Sequence, residues 1–149
     1  MSSARGAGCA NASYHRAGVP NEAAARGRFS DQVEKAAACA DRAVALARRR
    51  GARGDEAWAL RLLGDVASHR DRPEAATAAA HYGAAMTLAS ELEMRPLLAH
   101  CHSGLAGLYR RIGQPEQAEE HLAAARAMYG EMGMTHWLAK LENSGRPCN

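Results

Sequence analysis

The chain has 149 residues, 47% hydrophobic and 23% charged, which suits one domain with a buried core and excludes a long multidomain protein. Aromatic residues make up only 5% while alanine is abundant, so large aromatic blocks and a β-rich fold are disfavoured and close helix–helix approach is expected. A formal net charge of +3 is too small to demand a nucleic-acid partner.

Residues 1–28 mix Gly6, Gly8, Gly18, Pro20 and Gly27 with small and polar residues, and the expectation there is an irregular or mobile segment. From about Phe29 a helix is predicted, with Ser30 or Asp31 as N-cap. Its apolar stripe is Val33, Ala36 or Ala37, Ala40, Ala43 or Val44, and Ala47, ending at Gly51. Arg48, Arg49 and Arg50 fall in its last turn, where cations complement the helix dipole by roughly 0.3 to 1 kcal/mol each. With no interleaved aromatics, that role is preferred over a phosphate-binding patch. After a Gly51–Gly54 linker, Asp55 caps a helix carrying Trp58, Leu60, Leu62, Leu63, Val66 and Ala67. A further helix runs from Pro73 to Glu93 over Ala75, Ala78 or Ala79, Tyr82, Ala85 or Met86, Ala89 and Leu92. Pro96 opens the next, and Gly113-Gln114-Pro115 breaks the pattern before a fifth. Gly113 permits the chain to leave one helix, and Pro115 enters the next at a position where its missing N–H costs nothing. A short amphipathic helix with Trp137, Leu138 and Leu141 closes the series. The predicted helices are 30–50, 55–70, 74–93, 96–112, 115–132 and 135–142, within an organisation of irregular segment 1–28, helical domain 29–142 and frayed tail 143–149.

No run of 18 apolar residues exists for a membrane span, and Met1–Ala10 has no apolar core of a signal peptide, so a cytoplasmic chain without membrane contact is expected. Cys9, Cys39, Cys101 and Cys148 form no C-x-x-C pair and read as reduced thiols. Phosphate-binding glycine loops, nucleophile elbows and H-E-x-x-H helices are absent from the sequence, and the expectation is a protein that is not an enzyme and has no cofactor. His100-Cys101-His102 is the one tempting metal cluster. At about 100° per residue, however, His100 and His102 point about 200° apart on a helix, so one ion needs a ligand from elsewhere, such as His69 or His121. Packing and hydrogen bonding are the expected roles, and no metal is expected. Met86, Met128, Met132 and Met134 read as core filler.

The helices repeat. Leu63-Gly64 aligns with Leu105-Ala106 at an offset of 42; Ala40, Ala43 and Leu46 align with Tyr82, Ala85 and Leu88 at 42, and these with Leu122, Ala125 and Met128 at 40. Two full hairpins preceded by a lone second helix imply a solenoid in which each hairpin covers its neighbour's apolar side. Leu105, Ala106, Tyr109, Ala118, Leu122 and Ala125 carry a resemblance to the tetratricopeptide repeat family over residues 98–125, with His102 where a Trp is usual. The preceding repeat shares Leu63 and Gly64 but has Ala67 in place of the usual Tyr and a turn about two residues longer around Asp71–Ala76. Met94-Arg95-Pro96-Leu97-Leu98-Ala99-His100-Cys101-His102 and Leu108-Tyr109-Arg110-Arg111 resemble the C-terminal repeat tail of bacterial signalling proteins that join an adenylate or guanylate cyclase domain to an AAA-type ATPase. That resemblance spans Asp55–Glu142.

The resemblance implies an all-α fold, a short right-handed solenoid of antiparallel hairpins with a C-terminal capping helix. Its function would be non-enzymatic binding of a protein or peptide in a sensory or regulatory role, or that of a remnant cyclase tail. In such proteins the first helix of each pair lines the concave groove, which here implies Trp58, Arg61, Leu62, Asp65 and His69, then His100, Ser103, Gly107, Arg110 and Arg111. Arg61, Arg110 and Arg111 would grip a carboxylate or acidic peptide. The rival is a nucleic-acid binder using Arg48–Arg53. Gly104 and Gly107 each cost roughly 1 kcal/mol in a helix interior and call for close approach by a helix or ligand. Helix 30–50, a second helix without its hairpin mate, leaves Val33, Ala37, Ala40 and Val44 partly uncovered, and the expectation is a homodimer through this N-terminal end, unless residues 1–28 fold back over it or an upstream repeat of a longer protein covers it.

Overall fold

The computed structural model describes residues 22–144, and among these are six helices and no strand. They are α1 (Glu22–Arg50), α2 (Arg53–Ser68), α3 (Ala75–Glu91), α4 (Arg95–Arg111), α5 (Pro115–Glu131) and α6 (Thr135–Ser144). Residues 1–21 of the expected irregular segment and 145–149 of the expected tail lie outside the described residues. α1 begins seven residues ahead of Phe29, so Ser30 and Asp31 lie inside it instead of capping it. The run Glu22-Ala23-Ala24-Ala25-Arg26 consists of strong helix formers, which outweigh the roughly 1 kcal/mol that Gly27 costs. The compact unit that holds the core begins within α1, at Val33.

One turn recurs along the chain. α3–α4, α4–α5 and α5–α6 are joined by three residues whose middle member is left-handed: Glu93 (φ 55°), Gly113 (φ 76°) and Gly133 (φ 66°). The third residue's N–H donates five residues back, Met94 to the Ala89 carbonyl (2.8 Å), Gln114 to Tyr109 (2.8 Å) and Met134 to Tyr129 (2.9 Å). Gly51 (φ 67°) and the Ala52 to Ala47 bond (2.9 Å) repeat the motif after α1. Such a turn satisfies a helix's last carbonyls and starts the next helix at once, and none of α2–α5 has a side-chain N-cap bond. Asp55 is therefore in the first turn of α2, not at its cap. α2 and α3 are joined by six residues, His69–Glu74, so that Arg53 and Ala75 are two residues further apart than Arg95 and Pro115.

α2 packs closely on α3 and α4 on α5, with further contacts of α3 on α4, α5 on α6 and α2 on α4. Arg53 at the start of α2 pairs with Glu91 at the end of α3, and Arg95 at the start of α4 pairs with Glu131 at the end of α5. Both pairs mark antiparallel hairpins. α4 presents two faces to two clusters. Leu97, Cys101, Leu105 and Leu108 join residues of α1, α2 and α3, while Ala99 and Ala106 join Leu122, Ala125, Tyr129 and Leu141. In α1 Ala40, Val44 and Ala47 are buried, whereas Ala43 and Leu46 are exposed, unlike their counterparts Ala85 and Leu88. α3 lies against both α2 and α4 and needs a broad buried face; the narrower stripe of α1 meets the core on one side. Val44 is thus already covered, and only Val33 and Ala37 of the expected self-association stripe remain half-buried.

Candidate functional site: a polar concavity between alternate helices

Arg111 near the end of α4 donates from Nη1 to the Ser68 carbonyl at the end of α2 (2.7 Å), and Arg110 donates to the Ser144 carbonyl at the end of α6 (2.8 Å). α2, α4 and α6 therefore run side by side in the same direction, leaving a concavity of about 330 Å3 between them. Its walls carry Arg61, Asp65 and His69 of the first hairpin, His100, Ser103, Gly107 and Arg111 of α4, and Trp137 and Lys140 of α6. Tyr82 and Tyr129 reach its floor from α3 and α5.

Two tyrosines fix the polar groups. The fully buried Tyr82 ring is wedged between α2 and α4: a Cβ on Gly64 would lie 2.9 Å from it and one on Gly104 2.6 Å from it. Gly104 is thus used for close helix approach. Gly107 has nothing within 4 Å of its missing Cβ and opens onto the concavity. The Tyr82 hydroxyl donates to Asp65 Oδ1 (2.5 Å), Arg61 stands 3.3 Å from Asp65 Oδ2, and His69 Nδ1–H donates to the Asp65 carbonyl oxygen (2.7 Å). Burial, reinforced by the Asp65 carboxylate, raises the Tyr82 pKa, so the hydroxyl stays protonated. Arg61 also lies over the Trp58 ring at 5.8 Å, and its Nε is buried without a hydrogen-bond partner.

On the other side, Tyr129 OH and His100 Nδ1 share a 2.7 Å hydrogen bond, and the His100 ring meets Trp137 edge-on at 4.6 Å and Trp58 at 5.9 Å. Burial and then the Arg61 charge lower the His100 pKa, so the imidazole is neutral near pH 7. Burial pushes the Cys101 thiol up to about 12, which makes it a packing residue instead of a nucleophile. Lys140 sits 4.9 Å from the Trp137 ring. Arg61, Arg111 and Lys140 against Asp65 leave the concavity with an excess of positive charge.

Seven of the ten groove residues implied by the sequence come together here; Trp58, Leu62 and Arg110 do not line it. Trp58 packs at the rim, Leu62 is 48% exposed, and Arg110 is held by the Ser144 carbonyl. Sequence reasoning missed Tyr82, Tyr129, Trp137 and Lys140 as lining residues. The signal for α6 was present: carried on from α4 at the offset of 40, Trp137 falls on Leu97 and Lys140 on His100. In the rival basic cluster Arg48 pairs with Glu56 (2.7 Å) and Arg53 with Glu91, so two of its cations are partnered. Among the described residues, a depression on α1 lined by Cys39, Arg42, Ala43, Leu46 and Arg49 has all its walls on one helix. Among the described residues no helix is long and apolar enough to cross a membrane. No protein-family model, curated protein or solved structure matches the chain.

Proposed function

We propose that the chain is a short right-handed solenoid of tetratricopeptide type, capped by α6, and that it acts without catalysis as a regulatory module binding an acidic peptide segment in the concavity of α2, α4 and α6. The observation that carries this reading is the charge of that concavity: three cations face one carboxylate that is already engaged by Tyr82 and Arg61. Charge-assisted bonds from guanidinium groups at a partly desolvated surface are the strong kind. A volume of about 330 Å3 suits one or two acidic side chains or a chain-terminal carboxylate, with the rest of the peptide lying outside. The recurring turn and the repeated Arg–Glu pair support the repeat reading.

Trp137 lines the concavity and reports on it by fluorescence. Titration with a Glu/Asp-rich peptide is expected to saturate, and a Lys-rich peptide of equal length to give no change. Arg61→Gln and Lys140→Gln should each weaken binding roughly tenfold, about 1.4 kcal/mol, while Arg49→Gln leaves it unchanged. Equal binding of both peptides, or indifference to Arg61→Gln, would refute the reading.

A further inference from the structure

His102 on α4 and His121 on α5 meet across the second hairpin, outside the concavity. Their Nδ1 atoms are 3.0 Å apart, their ring centroids 5.3 Å apart and their planes inclined by 33°. Tyr109 stacks on the His121 ring at 5.5 Å and 9°, fixing it from one side. Both histidines are half-buried. Burial, and then the His121 ring, lower the pKa of His102, so its imidazole is in the neutral form that ligates metals.

A hydrogen bond accounts for the 3.0 Å separation when one Nδ1 carries a proton and the other accepts it. The same placement suits another partner. Imidazole nitrogens bound at about 2.1 Å to one ion stand about 3.0 Å apart at a right angle and about 3.4 Å apart at a tetrahedral angle. Turning each Nδ1 away from the line that joins the two nitrogens, by roughly 35 to 45° toward a common point, converts the one arrangement into the other. The helical separation of His100 from His102 remains: His100 is turned to Tyr129 and Trp137, and the second ligand comes instead from α5.

We propose that His102 and His121 form a two-histidine site for a first-row transition-metal dication, with Nδ1 of each ring as ligand and water completing the shell. Among the described residues no group of three or more His, Cys, Asp or Glu could hold an ion, so the protein offers two ligands only, and the preference of such a site follows intrinsic affinity, with Ni2+ bound more tightly than Co2+. Because the ligands sit on two helices brought together only by folding, the ion stabilises the native chain.

The test uses the full chain without an affinity tag and Ni2+ as the probe at neutral pH. Ni2+ is expected to raise the thermal midpoint and to broaden the ring resonances of His102 and His121 before those of the other histidines. His102→Asn and His121→Asn should each lower the apparent Ni2+ affinity at least tenfold, whereas His136→Asn, at an exposed position on α6, leaves it unchanged. Should a variant fail to fold, the broadening in the unsubstituted chain decides. Unbroadened His102 and His121 resonances at millimolar Ni2+, or an unchanged response in both Asn variants, would overturn the proposal and leave a pair that shares only a proton.

Discussion

Two glycines of one helix have opposite roles. A Cβ at Gly104 would stand 2.6 Å from the buried Tyr82 ring, which Gly64 confines from the other side, so the ring has nowhere to retreat. Gly104→Ala is expected to destabilise the fold by about 1 to 3 kcal/mol through overpacking. Gly107 has open space, and Gly107→Ala is expected to stabilise by about 1 kcal/mol from helix propensity alone. Urea denaturation of both variants checks the contrast, and shifts of equal sign would contradict it. His100 and His102 set a pH dependence at the same scale. Both are held below the ordinary imidazole value of 6.5, so below that value the unfolded chain binds protons that the folded chain refuses. Their contribution is complete above about pH 6.5 and declines as the pH falls toward their folded values. Urea midpoints measured with a chelator from about pH 7.5 to 5.5 should decrease, and a level profile would contradict the assignment.

Among the helix connections, Glu93 occupies the left-handed position that Gly51, Gly113 and Gly133 fill elsewhere. An L-residue with a Cβ is penalised there by about 1 kcal/mol, so Glu93→Gly should raise the denaturation midpoint, and a lower midpoint would show that the Glu93 side chain makes a contact outweighing the strain. Ala106 and Ala125 meet in the second core cluster at 2% and 0% exposure. Ala106→Leu or Ala125→Leu should cost about 1 to 3 kcal/mol in the same assay. An unchanged midpoint would place the α4–α5 interface elsewhere. The succession of helices could be read in the sequence because glycines and alanines recur where helices cross and turn: Gly113 and Pro115 mark a boundary that the structure keeps at Pro115. α1 was harder. Its alanines occur on every side, so spacing did not distinguish Ala43 from Val44, and the helix formers from Glu22 to Arg26 were obscured by neighbouring glycines. The groove was legible where it lies on α2 and α4. Its α6 wall and its two tyrosines were not, because a tyrosine on a second helix scores as core until the glycine that admits it on the facing helix is known.

Across the whole molecule, the alternate helices α2, α4 and α6 gather three cations, one of them paired with Asp65, around a space whose walls are largely polar and charged and whose floor is two tyrosines, while Arg48 and Arg53 are tied into ion pairs outside it. On the proposed function, an acidic partner sits on the concave surface and not on the basic cluster. Amide and indole NMR shift mapping with a Glu/Asp-rich peptide tests it most directly. Ser103, Gly107, Arg111 and the Trp137 indole N–H are expected to shift together along one saturable curve, with Arg48 to Arg53 unmoved. Shifts confined to Arg48–Arg53, or no saturable shift in the concavity, would contradict it.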